Sequence, residues 1–196
     1  MTHAESTYQT KKALGNALKE LAKHKELSKI TVSELITTCN VNRKTFYYHF
    51  DDIYDLVKWI IEQETLDKIQ NYNLINDYSG TIEFLLNYIE SNSHFLISVY
   101  YTVGHDIVKN LFKQDLTQIV TQLIDDTEAE LNSRIPADFK LFLCDLYIDS
   151  TISMLINSIK NPYKYDNDKI VDYFKLTLPS IIPTAIKNYN DSSYTV

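Results

Sequence analysis

Glycine is the scarcest structural signal in this sequence. The 196 residues contain three, Gly15, Gly80 and Gly104, each isolated from the others. Average usage, about 7%, would give roughly 14. Isolated glycines exclude a phosphate-cradling loop, a dinucleotide fingerprint and a nucleophile elbow, and they disfavour hairpin-rich β folds. Proline is almost as rare, at four, so breaks are few and long helices are favoured. The two cysteines, Cys39 and Cys144, form no Cys-x-x-Cys pair. That removes a zinc knuckle or a thioredoxin-like motif, and both are expected to be buried, reduced thiols of a cytoplasmic protein. No run approaches the ~18 apolar residues of a membrane span. The polar stretch Met1–Tyr8 lacks the apolar core of a signal peptide.

What is present is apolar bulk and an uneven charge. The chain is 44% hydrophobic, enough to build a core, and its formal net charge is −7. Residues 1–50 nevertheless hold eight Lys/Arg against four Asp/Glu, and the remainder holds eleven against 22. A basic head on an acidic body suits a head that meets a polyanion, although a chance fluctuation of surface charge gives the same count.

Apolar spacing reads as helix nearly everywhere, with no convincing strand and no fixed-period repeat. About nine helices are expected, near 7–24, 32–39, 43–49, 51–72, 80–91, 93–103, 105–132, 138–159 and 168–187. Thr31-Val32-Ser33-Glu34 reads as a capping box, Asn40 as a left-handed C-cap, and Asn42 as the cap of the next helix. A loop is expected over 71–79, a boundary at Pro136, a break at Asn161-Pro162, and a frayed tail from 189. Pro179 and Pro183 predict that the last helix kinks, or stops and restarts.

Two short helices joined through Cys39–Val41 form a helix-turn-helix arrangement. The second helix of such a pair enters the major groove, so it needs a polar front and an apolar back. Leu35, Val41, Phe46 and Phe50 supply the back; Asn42, Arg43, Lys44, Thr45, Tyr47, Tyr48 and His49 supply the front and flanks. Arg43 and Lys44 suit guanine edges or phosphates, and the tyrosines bring phenol donors to the backbone. Thr31 and Ser33 sit with free amides at the first turn of the preceding helix, a natural phosphate clamp. Residue by residue, each of these is equally an ordinary surface or core residue.

The string as a whole is more specific. Asn40-Val41-Asn42-Arg43-Lys44-Thr45-Phe46-Tyr47-Tyr48-His49-Phe50, followed by Asp55-Leu56 and preceded by Ile30-Thr31-Val32-x-x-Leu35, resembles the signature of the TetR family of bacterial transcription regulators. The resemblance covers about 50 residues. Within that family, the run from Val41 to Ile60 is similar to the branch of dihydroxyacetone kinase operon regulators, some of which act with a partner protein. The resemblance implies an all-α protein. Residues 1–50 would be the helix-turn-helix DNA-binding domain, 51–188 a helical effector-binding and dimerisation domain, and 189–196 a polar tail. It makes Ser33, Arg43 and Lys44 candidates for base-edge contact, and Tyr47, Tyr48 and His49 candidates for backbone contact. Two positions depart from the family pattern. Asn40 stands where glycine is usual, and Ile53 stands where many members carry a phosphate-binding lysine, beside the repelling pair Asp51-Asp52.

The last two helices resemble the family's four-helix dimer interface, which nominates Phe142, Leu146, Ser150, Ile152, Met154, Ile170, Phe174, Leu178 and Ile182, unless these face only the chain's own core. An effector pocket in the middle helices would draw on Tyr100, Tyr101, His105, Cys144, Tyr147 and Asp149. The expected partners are therefore a double-stranded DNA operator, a second copy of the chain, and a small-molecule effector or partner protein. No cofactor is expected. His94 and His105 lack metal-ligand spacing, and no nucleophile–base motif appears, so an enzyme is not expected. The alternative is a helical protein–protein adaptor or coregulator that has lost operator binding.

Overall fold

The computed structural model describes residues 3–71, 77–161 and 166–191, with side chains except at positions 3, 66, 67, 70, 71, 114, 115, 178 and 179. Among the described residues there are nine α-helices and no strand: α1 (His3–Ala22), α2 (Val32–Cys39), α3 (Arg43–His49), α4 (Ile53–Asn71), α5 (Tyr78–Ser91), α6 (Ser93–Val103), α7 (His105–Glu130), α8 (Ala137–Lys160) and α9 (Asn167–Asp191). A short 3-10 turn, Leu27–Lys29, precedes α2. They form two compact units: residues 1–67 with 92–111, and residues 68–91 with 112–196.

The first unit is built on the parallel stripes of α1 and α4. Leu14, Ala17 and Leu18 of α1 are buried, as are Leu56, Val57, Ile60 and Ile61 of α4. Gly15 lets the two helices approach: a Cβ there would stand 3.1 Å from Ile60 Cγ1. Lys19 closes the seam by donating to both carboxylate oxygens of Glu64, at 2.9 and 2.8 Å. Phe95, Leu96 and Val99 of α6 are buried in the same unit. The Leu27 amide donates to Ser98 Oγ at 2.9 Å, which ties the 3-10 turn to α6.

The second unit buries Ile82, Leu85 and Leu86 of α5, Leu116, Ile119 and Val120 of α7, and Leu143, Ile148, Ile152 and Leu155 of α8. Buried Tyr78 is polar as well as apolar. Its hydroxyl shares a 2.6 Å hydrogen bond with Thr151 Oγ1, and its ring lies 5.9 Å from that of Phe174. Burial pushes this phenol up to about 12. The bend between α7 and α8 is held by Glu128, whose carboxylate accepts from the Ile135 amide at 2.8 Å and from Lys140 at 3.0 Å. Lys140 also pairs with Asp125.

Some expectations change. α5 starts at Tyr78, not at residue 80, because Asp77 caps it: the Gly80 amide donates to Asp77 Oδ1 at 2.9 Å. Residues 72–76 of the expected loop, Pro162 of the expected break and 192–196 of the tail lie outside the described residues. α9 runs through Pro179 and Pro183 without a stop and restart, and continues to Asp191. Ile182 and Ile186, fully buried, anchor the turns that follow the missing amides. Both cysteines are free; Cys144 is buried, whereas Cys39 is only half-buried.

Candidate nucleic-acid interface

The helix-turn-helix segment lies within the first unit, and its boundaries follow from its caps. Thr31 Oγ1 accepts from the Glu34 amide at 3.3 Å, and the Glu34 carboxylate reaches back to the Thr31 amide at 2.9 Å. That is the capping box the sequence announces. At the other end of α2, Asn40 adopts φ 51 and ψ 42. Its amide bonds to the Thr37 carbonyl at 3.3 Å, and the Val41 amide reaches the Ile36 carbonyl at 3.0 Å. This pair of bonds is a Schellman motif with asparagine in the left-handed position. Asn42 then starts α3: its Oδ1 accepts from the Thr45 amide at 2.8 Å and from the Thr45 hydroxyl at 3.1 Å.

The back of α3 is a cluster of rings. Phe46 is completely buried and lies 6.0 Å from Phe50, which in turn lies 5.9 Å from Trp59 of α4. The Lys11 ammonium sits 5.2 Å from the Phe50 ring and 5.8 Å from the Trp59 ring. No spacing in the sequence announces this cation over two aromatic faces, because Lys11 is 39 and 48 positions away from its partners.

The front of α3 is open. Arg43 and Lys44 are exposed, Tyr47 is 50% exposed and Tyr48 71%. Arg43 is not splayed into solvent. Its Nη1 donates to Ser33 Oγ at 3.3 Å and its Nη2 to Tyr47 Oη at 3.5 Å. Its guanidinium carbon lies 5.7 Å from the Tyr47 ring centroid. Three of the nominated residues, Ser33, Arg43 and Tyr47, are thus brought together across α2 and α3. Tyr48 and His49 are adjacent rings, 4.9 Å apart.

Thr31, Asn42 and Thr45 have a different place. The Thr31 hydroxyl is committed to Glu34, donating to its Oε2 at 2.9 Å. The Asn42 Oδ1 and the Thr45 hydroxyl are committed to each other. These three set the helix starts; Asn42 keeps only its Nδ2 group for another partner.

The nominated effector residues divide between the units. Tyr100, Tyr101 and His105 belong to the first, and Cys144, Tyr147 and Asp149 to the second. In the first, Tyr100 and Tyr101 meet edge-on at 5.5 Å, and His105 Nδ1 lies 3.3 Å from Asp106. Tyr101 also borders an open cavity of about 470 Å³ with His24, Lys25, His94 and Ile97. In the second, Cys144 Sγ lies 3.9 Å from Thr121 Oγ1, and burial raises the Tyr147 phenol. Asp149 is exposed. Among the described residues, no group of three or more His, Cys, Asp or Glu could hold a metal ion.

The nominated dimer residues need correction. Ile170 and Ile182 are 3% and 1% exposed, and Ile152 is likewise buried. They belong to the chain's own core, so a partner cannot reach them. Phe174 packs on Tyr78, Met154 is half-buried, and the Leu178 side chain lies outside the described residues. Phe142, Leu146 and Ser150 are exposed, as are Tyr173 and Ile181 from the apolar pattern of α9, and the surface carries two apolar neighbours that spacing does not single out, Leu141 on α8 and Leu176 on α9.

Comparison with known proteins agrees with this architecture. Residues 76–179, just over half of the chain, match the TetR family model described as a transcriptional regulator C-terminal region. The HTH-type dhaKLM operon transcriptional activator DhaS of Lactococcus lactis subsp. lactis (strain IL1403) is 26% identical over 135 residues, or 69% of this chain and 71% of the relative. A solved structure of a dihydroxyacetone kinase operon activator DhaS covers 91% of this chain and 96% of its own, with a TM-score of 0.68 at 20% identity. That likeness shows a shared all-α fold. With its capped helix-turn-helix and its matched C-terminal region, the chain belongs to the TetR family of transcriptional regulators.

Proposed function

We propose that this regulator works as a homodimer on a palindromic operator, with α3 of each copy in a major groove. The observation that carries the reading is the two-sided character of α3. Phe46 is fully buried behind it, while Arg43, Lys44, Tyr47 and Tyr48 stand exposed in front. A helix seven residues long cannot hold itself in a groove without such an anchor. Arg43 reads a base edge, Lys44 neutralises a phosphate, and Tyr48 and His49 meet the backbone.

Two-fold symmetry doubles these contacts without a second recognition code. The exposed apolar residues of α8 and α9 support a dimer surface there: Leu141, Phe142 and Leu146 with Tyr173, Leu176 and Ile181. A small molecule or a partner protein modulates the operator affinity in this reading. The open cavity beside Tyr101 and the region of buried Tyr78 and half-buried Tyr147 are its candidate points of action.

Operator binding measured against salt tests the reading. Log affinity should fall linearly with log salt. Arg43→Ala should cost about 1–3 kcal/mol on the operator and relax its base preference, whereas Lys44→Ala should weaken binding to every sequence alike and reduce the salt slope by about one. An affinity independent of salt and of both substitutions refutes it.

A further inference from the structure

Arg43 is the first residue of α3, where a long side chain on a surface helix would ordinarily sample many rotamers. Here it is cradled from two directions. Ser33 Oγ, from α2, accepts from Nη1 at 3.3 Å, and Tyr47 Oη, one turn along α3, accepts from Nη2 at 3.5 Å. The Tyr47 ring also lies under the guanidinium, 5.7 Å from its carbon. Tyr47 is fixed in turn from below: its ring meets the fully buried Phe46 edge-on, centroids 5.3 Å apart at 88°. A chain of contacts therefore runs from the core to the guanidinium.

The donor count is informative. A guanidinium has five N–H groups. Two are taken by the hydroxyls, which leaves three, and a guanine edge needs two, for O6 and N7. Both hydroxyls act as acceptors toward Arg43, because arginine cannot accept. Each keeps its own proton to donate to a phosphate oxygen. One hydroxyl can thus hold the backbone and the reading arginine at once. The two contacts are long for charge-assisted hydrogen bonds, so the guanidinium has room to advance toward a base beside the Tyr47 ring.

We infer that Ser33, Arg43 and Tyr47 form one readout unit for a guanine in each half-site, in which Ser33 and Tyr47 are positioning residues that set base preference through Arg43. The inference rests on the operator-binding reading proposed above. It differs from independent contacts in one respect: Ser33 and Tyr47 contribute to discrimination between bases, and not only to affinity.

The test uses the full chain and an operator found in its own upstream DNA, with guanines replaced one at a time by 7-deazaguanine or adenine. Wild type should lose at least about 10-fold in affinity at one position per half-site. Ser33→Ala and Tyr47→Phe should each shrink that loss about threefold or more, with the salt slope unchanged, since no charge is removed. Tyr47→Phe keeps the ring on Phe46, so its effect is not one of folding. In the Arg43→Ala background, Ser33→Ala and Tyr47→Phe should have no further effect on discrimination. Equal weakening of guanine and substituted operators by Ser33→Ala and Tyr47→Phe, or additivity with Arg43→Ala, overturns the readout unit while leaving operator binding intact. Wild type that prefers no sequence overturns both.

Discussion

The Lys25 ammonium donates to Glu34 Oε1 at 2.5 Å, while Oε2 of the same carboxylate accepts from the Thr31 amide and hydroxyl, each at 2.9 Å. One carboxylate thereby joins the turn after α1 to the first turn of α2. The Lys25 hydrogen bond first, and the two Thr31 bonds next, pull the Glu34 carboxyl down from 4.5 to about 2. A depressed carboxyl contributes fully above its unfolded value of 4.5, and the contribution fades as pH falls through about 2. The start of α2 should therefore hold at pH 5 and loosen between pH 4.5 and 2. A carboxyl NMR titration of Glu34 checks this; an apparent midpoint near 4.5 contradicts it.

Asn40 carries the left-handed bend between the two helices, at φ 51. Glycine has no Cβ to clash there, so Asn40→Gly should be close to neutral. Asn40→Val should destabilise by about 1–2 kcal/mol. Urea unfolding of the three proteins compares them directly, and a valine variant as stable as wild type would show that the bend is not held by residue 40.

Phe46 fills the space behind α3 and touches no solvent. Phe46→Ala should cost about 3–5 kcal/mol, and Phe46→Leu less. If the front of α3 depends on this anchor, operator binding should fall with stability in both variants. Full operator affinity in a folded Phe46→Ala protein would separate the two.

The exposed apolar residues of α8 and α9 predict the oligomeric state. Wild type should sediment at twice the 22.8 kDa chain mass. Phe142→Glu combined with Leu176→Glu should give folded monomers, because a dimer would bury both carboxylates unpaired. These positions are exposed in the single chain, so helicity should not change. A dimer that survives both substitutions places the interface elsewhere.

The sequence was most legible where local rules act alone. The bounds of α3 follow from Asn42 as cap and from Phe46 and Phe50 four apart, and the structure gives Arg43–His49. Asn40 could be read as left-handed because asparagine is among the few residues that tolerate it. Asp77 was hidden, because a capping aspartate after asparagines and a tyrosine looks like loop composition. Ile170 and Ile182 fall in the core rather than on a dimer surface for a different reason. An apolar stripe identifies a buried face but not what buries it, and here the chain's own core does. Leu176 lies off that stripe, and periodicity gives no reason to notice it. The Arg43–Ser33 and Lys25–Glu34 contacts join residues ten and nine apart through a turn, beyond the reach of any helical spacing rule.

Fluorescence anisotropy on the protein's own upstream intergenic DNA, against scrambled DNA of the same length at about 150 mM salt, decides whether the chain recognises an operator. An operator-binding regulator should prefer the upstream DNA by about 10³-fold or more. Equal and weak binding to both, which persists when binding sites are selected from random DNA, would contradict operator recognition and leave a helical adaptor in its place.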